Sequence, residues 1–255
     1  MNAPARLIKI SGHELDSADY LRQFAEVIVA LAEPTLIVHG GGKEITQLQE
    51  RMGIVPRYVD GLRITDAESL ALVEMVLCGV VNKRLVRTLV NGGVQAIGLS
   101  GVDFGMVRAV QMQHADVDMG FTGQVDSVQA EPLRALLSAG LTPVIAPICM
   151  GVHSNFNVNA DHVAGALAAA LNAEQLVFLS NVPGVMLDGQ VIPTLTDAQV
   201  EQMIADETIF GGMIPKVRTA ISVLDHGVQA AVITNLEGLR MGGGTAIVRG
   251  NRAIN

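Results

Sequence analysis

Aromatic residues are scarce in this 255-residue chain: six Phe, two Tyr and no Trp, 3% in all. A core can therefore draw little on aromatic side chains. Cysteine is nearly absent as well. Cys78 and Cys149 stand alone, with no C-x-x-C and no histidines at metal-ligand spacing. That excludes a disulfide framework and a zinc site, predicts no bound metal on the protein itself, and leaves two small core residues suited to a reducing cytoplasm. Positive charge is in deficit, with 17 Lys and Arg against 25 Asp and Glu, a net charge of -8 and a pI near 5.2. Nucleic acid and anionic membranes demand the opposite balance, so neither is expected as a partner. A small anionic ligand needs only a few local cations and amides, and stays open. No run approaches the ~18 apolar residues that span a bilayer. The first residues, "MNAPARLIKISG", also lack the apolar stretch of a signal peptide.

What is present is a chain 49% hydrophobic and only 16% charged, enough to bury a sizeable core. Short β-rich runs alternate with helical periodicity. The order is "RLIKI", a helix around 17–31, "TLIVH", a helix at about 43–52 and a long helical stretch at about 66–91. Then come "VQAIGL", strands around 106–110 and 121–128, a helix at 130–139 and the buried strand "TPVIAPI". The second half repeats the pattern: an Ala- and Leu-rich helix opening near Asp161, the strand "QLVFLS", a hairpin in "NVPGVMLDGQV", a helix at 213–226, and closing strands in "QAAVIT" and "TAIVRG". Such βαβ punctuation predicts an α/β fold with a mostly parallel sheet covered on both faces. No linker composition separates the halves, so one domain of two lobes, 1–150 and 151–255, is expected to share a continuous sheet. Ligands then gather where loops leave the C-terminal strand ends.

Several of those loops carry suggestive residues. "TLIVHGGGKEI" places Gly40, Gly41 and Gly42 between a strand and a helix, where missing Cβ atoms let backbone amides approach a ligand. The spelling fits neither G-x-x-x-x-G-K-[ST] nor G-x-G-x-x-G. Lys9 interrupts an otherwise apolar strand and can reach the ligand crevice. In "DGLRITD", Arg63 sits in a Gly-led turn and offers a planar fork for a carboxylate or phosphate, while Asp66 is a helix cap. "FNVNAD" alternates Asn157, Asn159 and Asp161, which strand geometry turns to one side. Lys216 opens a helix after "GGMIP". His39, without a paired nucleophile, reads as a hydrogen-bonded core histidine rather than a base.

Taken in order along almost the whole chain, "KISG", "VHGGG", "DGLRITD", "NVNAD", "NVPGV" and "GGMIPK" resemble the amino acid kinase family, and within it the acetylglutamate kinases. The resemblance implies a three-layer α/β/α sandwich whose N-terminal lobe takes N-acetyl-L-glutamate and whose C-terminal lobe takes ATP, with Mg²⁺ held mainly through the nucleotide phosphates. Lys9 and Lys216 match the lysines that stabilise the transferring phosphoryl group, and Asp161 the aspartate that orients them. Gly41, Gly42, Arg63 and Asn157 match substrate contacts. Gly12, Ser180, Asn181, Gly184, Val185 and Met186, with Thr208, Ile209 and Phe210, match the nucleotide pocket. The implied assembly is a cytoplasmic homodimer insensitive to arginine, since the short N-terminus lacks the extra helix of arginine-inhibited hexameric relatives. Ser11 and Asn181 depart from the family's usual glycine and aspartate. "EMVLCGVVNKRLV" and "IGLSG" also resemble kinases of the lysine pathway that act on aminoadipate or glutamate, acetylated or joined to a carrier protein. A non-catalytic nucleotide sensor is the reading from another class. A dinucleotide oxidoreductase would need G-x-G-x-x-G after the first strand, and "KISGHEL" does not supply it.

Overall fold

A computed structural model describes residues 6–10, 15–31 and 33–250. Ser11 and Gly12, named above, lie outside the described residues. The centre of the molecule is an eight-stranded sheet in the order 194–196, 245–248, 230–234, 176–179, 6–10, 35–39, 142–146, 96–100. From Ala230–Thr234 to Ala96–Ser100 all neighbours run parallel, and antiparallel pairing enters only where Thr245–Val248 joins Ala230–Thr234. The strand bearing Lys9 lies in mid-sheet, pairing Lys9 with Phe178 on one side and Val38 on the other. Strands from both halves of the chain therefore flank it.

The sheet separates two aliphatic cores, as alternation along buried strands requires. Leu7, Val38, Phe178 and Ile233 face one, closed by helices Ala160–Leu171 and Met213–Asp225. Ile8, Ile10, Ile37 and Val177 face the other, closed by helix Ala18–Leu31 and by the long helical stretch 67–91. That long stretch is not uniform. Ala67–Glu74 and Asn82–Asn91 are α-helical, and Met75–Val81 between them is a π-helix, a geometry often found beside functional sites.

Two expectations need correction. "TPVIAPI" is not one strand: Thr142–Ala146 belongs to the large sheet and Ile148–Met150 to a small closed four-stranded unit with Val107–Gln111, Thr122–Val128 and Asn155–Val158. Pro147, which cannot donate to a ladder, marks the change. Arg63 is not in a turn but within strand Leu62–Ile64 of a hairpin with Arg57–Val59, whose bend has Asp60 and Gly61 at positive φ.

Candidate active site

Lys9 and Asp161 meet across the top of the sheet, with Nζ 2.7 Å from Oδ1 and both side chains mostly buried. Asp161 stands in the first turn of helix Ala160–Leu171, and the N-cap is Asn159, whose Oδ1 accepts from the Asp161 backbone N–H at 2.7 Å. The carboxylate of Asp161 is therefore free of capping duty. Strand alternation carries only Asn157; a helical turn brings Asp161 to the same side. Buried charges without partners are costly, so the ion pair fixes both groups.

Two cavities share this pair. The first, about 250 Å³, is lined by Lys9, Gly40, Gly41, Gly42, Arg63 and Asn157 together with Asp161. The second, about 200 Å³, is lined by Lys9, Asp161, Ser180, Lys216 and Thr219. A larger groove of about 450 Å³, beside Arg6 and the glycine turn Gly242–Gly244, contains none of the candidate residues.

Each wall of the first cavity has a local cause. Gly41 is closely packed: a Cβ there would fall 2.6 Å from Leu77 Cδ2 and 3.1 Å from Val81 Cγ2, so a side chain would force these two to shift. At Gly42 a Cβ would meet nothing within 4 Å. Arg63 is only 8% exposed, although arginine is mostly a surface residue. Its guanidinium donates to Gln49 Oε1, to the Gly42 carbonyl at 3.1 Å and to Thr46 Oγ1 at 2.8 Å, and lies 4.9 Å from the centre of the Tyr58 ring. Gln49 is itself anchored by donating to Ser69 Oγ at 2.9 Å. Below, Asn157 Nδ2 donates to Thr65 Oγ1 at 3.0 Å, and Thr122 Oγ1 donates to the Arg63 carbonyl at 2.5 Å. Thr46, Gln49, Tyr58, Thr65 and Thr122 were not singled out in the sequence.

In the second cavity Lys216 Nζ donates to Asn181 Oδ1 at 3.1 Å. Asp161 contacts Lys9, and the partner of Lys216 is this neutral amide. Among the described residues this amide pairing gives Lys216 no counter-charge, which suits it to an anion. Lys43, which a phosphate-loop reading would favour, is turned to Asp16 at 2.5 Å instead.

The Amino acid kinase family model matches residues 5–235. The chain belongs to that family. Acetylglutamate kinase of Roseiflexus castenholzii is 50% identical over 247 residues, covering 97% of this chain and 95% of the relative. Acetylglutamate kinase of a Roseiflexus species, strain RS-1, is 51% identical over 245 residues, covering 96% and 94%. Among solved structures, N-acetylglutamate synthase from Neisseria gonorrhoeae, complexed with coenzyme A and N-acetyl-glutamate, superposes with a TM-score of 0.82 at 26% identity. It covers all of this chain and 61% of that one.

Other residues that the family resemblance assigns to a nucleotide are differently placed. Val185 and Ile209 are buried in the core, and their backbone N–H groups donate inside the protein, to Thr245 Oγ1 at 2.8 Å and to the Met203 carbonyl at 2.8 Å. Gly184 lies at φ 151°, and a Cβ there would fall 2.6 Å from Thr245 Oγ1 and 2.7 Å from Val191 Cγ1. Met186 and Phe210 are exposed, and Thr208 donates its backbone N–H to Asp206 at 3.1 Å. Of the set, Ser180 lines the second cavity and Asn181 touches it through Lys216. Two ammonium groups with the Ser180 and Thr219 hydroxyls form a donor set that fits the oxygens of a polyphosphate. Among the described residues no three His, Cys, Asp or Glu side chains stand together as a metal cage.

His39 is fully buried directly before the glycine loop, and its burial pushes its pKa down to about 4. An unfolded histidine takes a proton near pH ~6.5, whereas the folded one resists until about 4. The stability present above pH ~6.5 is thus lost as pH falls through that window, by about 3 kcal/mol in all. Denaturant midpoints between pH 6.5 and 4.5 should fall more steeply in the native protein than in His39→Asn. Equal slopes would contradict a neutral buried imidazole.

Proposed function

We infer that this protein transfers the γ-phosphoryl group of ATP to the side-chain carboxylate of N-acetyl-L-glutamate, giving N-acetyl-L-glutamyl 5-phosphate and ADP in arginine biosynthesis. The observation that carries the reading is the junction of the two cavities at Lys9 and Asp161. One cavity offers glycine amides, Asn157 and an arginine fork to an acylated amino acid; the other offers Lys216 and hydroxyls to phosphates. Relatives of the same name, about half identical over almost the whole chain, support it.

The chemistry asks little proton transfer of the protein. A carboxylate with a reference pKa near ~4.3 is already ionised at pH 7. Its oxygen forms the new bond to the γ-phosphorus as the bond from that phosphorus to the bridging oxygen breaks, and ADP leaves with the electron pair. Lys9 and Lys216 stabilise charge on the transferring group from two sides, and Asp161 fixes Lys9. Mg²⁺, when bound to the nucleotide phosphates, supplies further charge neutralisation. Among the described residues no histidine lines either cavity, and the reaction needs no general base.

A homodimer in the cytoplasm completes the reading. The sheet ends at Ala96–Ser100, and the helical stretch over that edge exposes Met75, Val80 and Val90, an apolar face suited to a second copy. Cys78 and Cys149 are free thiols, and burial raises Cys78 to about 11, which leaves little reactive thiolate. No helix among the described residues is long and apolar enough to cross a membrane.

A hydroxamate assay, which traps the acyl phosphate, tests the reaction. Acetylglutamate should give product with kcat/KM roughly 10- to 200-fold above acetylaminoadipate, the range one methylene commands in a fitted pocket. Turnover confined to a carrier-linked substrate would overturn the assignment.

A further inference from the structure

Behind the glycine loop lies a buried polar pair that the phosphoryl chemistry leaves unused. His39 Nδ1 is 2.8 Å from the Gly40 carbonyl oxygen, and its Nε2 is 3.2 Å from Asn82 Nδ2. A carbonyl can only accept, so Nδ1 carries the proton and donates; Nε2 is left to accept from the Asn82 amide. Asn82, 1% exposed, also donates to the Val144 carbonyl at 2.9 Å, and its Oδ1 accepts from Lys83 Nζ at 3.1 Å. Lys83 in turn donates to the Gly98 carbonyl at 3.0 Å. The imidazole is thus fixed in tautomer and in plane by a chain of bonds reaching two further strands.

The same helical stretch grips the loop a second way. Asn82 opens the α-helical turn directly after the π-helix Met75–Val81, and Leu77 and Val81 of that π segment form the surface against which Gly41 lies. Apolar contact therefore locates the Gly41 Cα while His39 locates the Gly40 carbonyl. Because a peptide unit is planar, fixing that carbonyl also fixes the direction of the Gly41 N–H on the same plane. Gly40, Gly41 and Gly42 all line the cavity beside Arg63.

We propose that His39 and Asn82 are positioning residues for the acceptor acid: they hold the Gly40–Gly41 peptide in the orientation that receives it, and transfer no proton. The proposal rests on the acetylglutamate kinase reading of the cavity. It differs from a mere core role in what it leaves alone, since Gly40 and Gly41 line the acceptor cavity and not the nucleotide one.

The test compares the native enzyme with His39→Leu, His39→Asn and Asn82→Ala, measuring KM for acetylglutamate and for MgATP separately. Asparagine can place an N–H where Nδ1 stands, and leucine cannot. Native turnover of acetylglutamate is the control; its absence would overturn the functional reading itself. Given that turnover, His39→Leu should raise the acceptor KM roughly tenfold with the ATP KM unchanged, the scale of one lost positioning hydrogen bond. His39→Asn should recover most of the loss. An unchanged acceptor KM in His39→Leu, parallel rises in both KM values, or no recovery by asparagine would each refute the proposal. If His39→Leu does not fold, Asn82→Ala decides: its acceptor KM rises selectively, or the proposal fails.

Discussion

Replacing Lys216 by alanine should lower kcat at least about a hundredfold while leaving the acetylglutamate KM nearly unchanged. A cation aimed at charge that develops only during phosphoryl transfer stabilises the transition state more than the bound substrates, and single donors of this kind contribute ~10²–10³ in rate. Lys216 has the geometry for it: its side-chain partner among the described residues is the neutral Asn181 amide, which does not neutralise its charge. Lys9→Ala should cost as much or more in rate, and differs in stability. Without Lys9, Asp161 Oδ1 becomes a buried carboxylate oxygen with no counter-charge, so the midpoint of unfolding should fall as well. Asp161→Asn in the Lys9→Ala background should restore part of that stability and none of the rate. Single-turnover rates and thermal melts on the three variants separate the two effects. Near-normal turnover by Lys216→Ala would remove it from the mechanism.

Lys9 was legible in the sequence because a lysine inside an apolar strand demands a partner, and the structure supplies Asp161. The parallel sheet was legible for a similarly local reason, since short β-branched runs alternating with helical periods have few other solutions. Asp161 reaches the cavity by another geometry than the one expected: alternation was to carry it, and a helical turn does, with Asn159 as cap. The hairpin around Gly61 was hidden because its strands are only three residues long. Helix Asp197–Ala205 had a signal that was not used, the Thr196 and Gln199 capping box. Gln49, Thr122 and Asn82 had none. Each is a polar residue inside an ordinary helix or strand, and what distinguishes it is a partner elsewhere: Ser69 and Arg63 for Gln49, the Arg63 carbonyl for Thr122, His39 for Asn82. The π-helix is equally silent, because nothing in "MVLCGVV" specifies a wider turn until Leu77 and Val81 must pack on Gly41.

Arg63→Met should raise the acetylglutamate KM by about ten- to a hundredfold, the equivalent of ~1.5–3 kcal/mol for hydrogen bonds from a charged donor, and leave the ATP KM in place. The fork is preorganised: Gln49, Thr46 and the Gly42 carbonyl hold it at the cavity wall, and the Tyr58 ring lies beneath it. Little rotamer entropy remains to be lost when a carboxylate arrives. Methionine fills much of the same volume but strands Gln49 Oε1 in a buried position, so stability should also drop by about 1–3 kcal/mol. The backbone of the hairpin should survive, because Thr122 holds the Arg63 carbonyl and not its side chain. Arg63→Lys discriminates charge from shape. A single ammonium cannot reach Gln49, Thr46 and the Gly42 carbonyl together, so it should recover only part of the lost affinity, and a full recovery would mean that charge alone matters. Calorimetric titration of acetylglutamate into each variant reads the effect without turnover. An unchanged dissociation constant in Arg63→Met would show that the arginine shapes the hairpin but does not grip the acid.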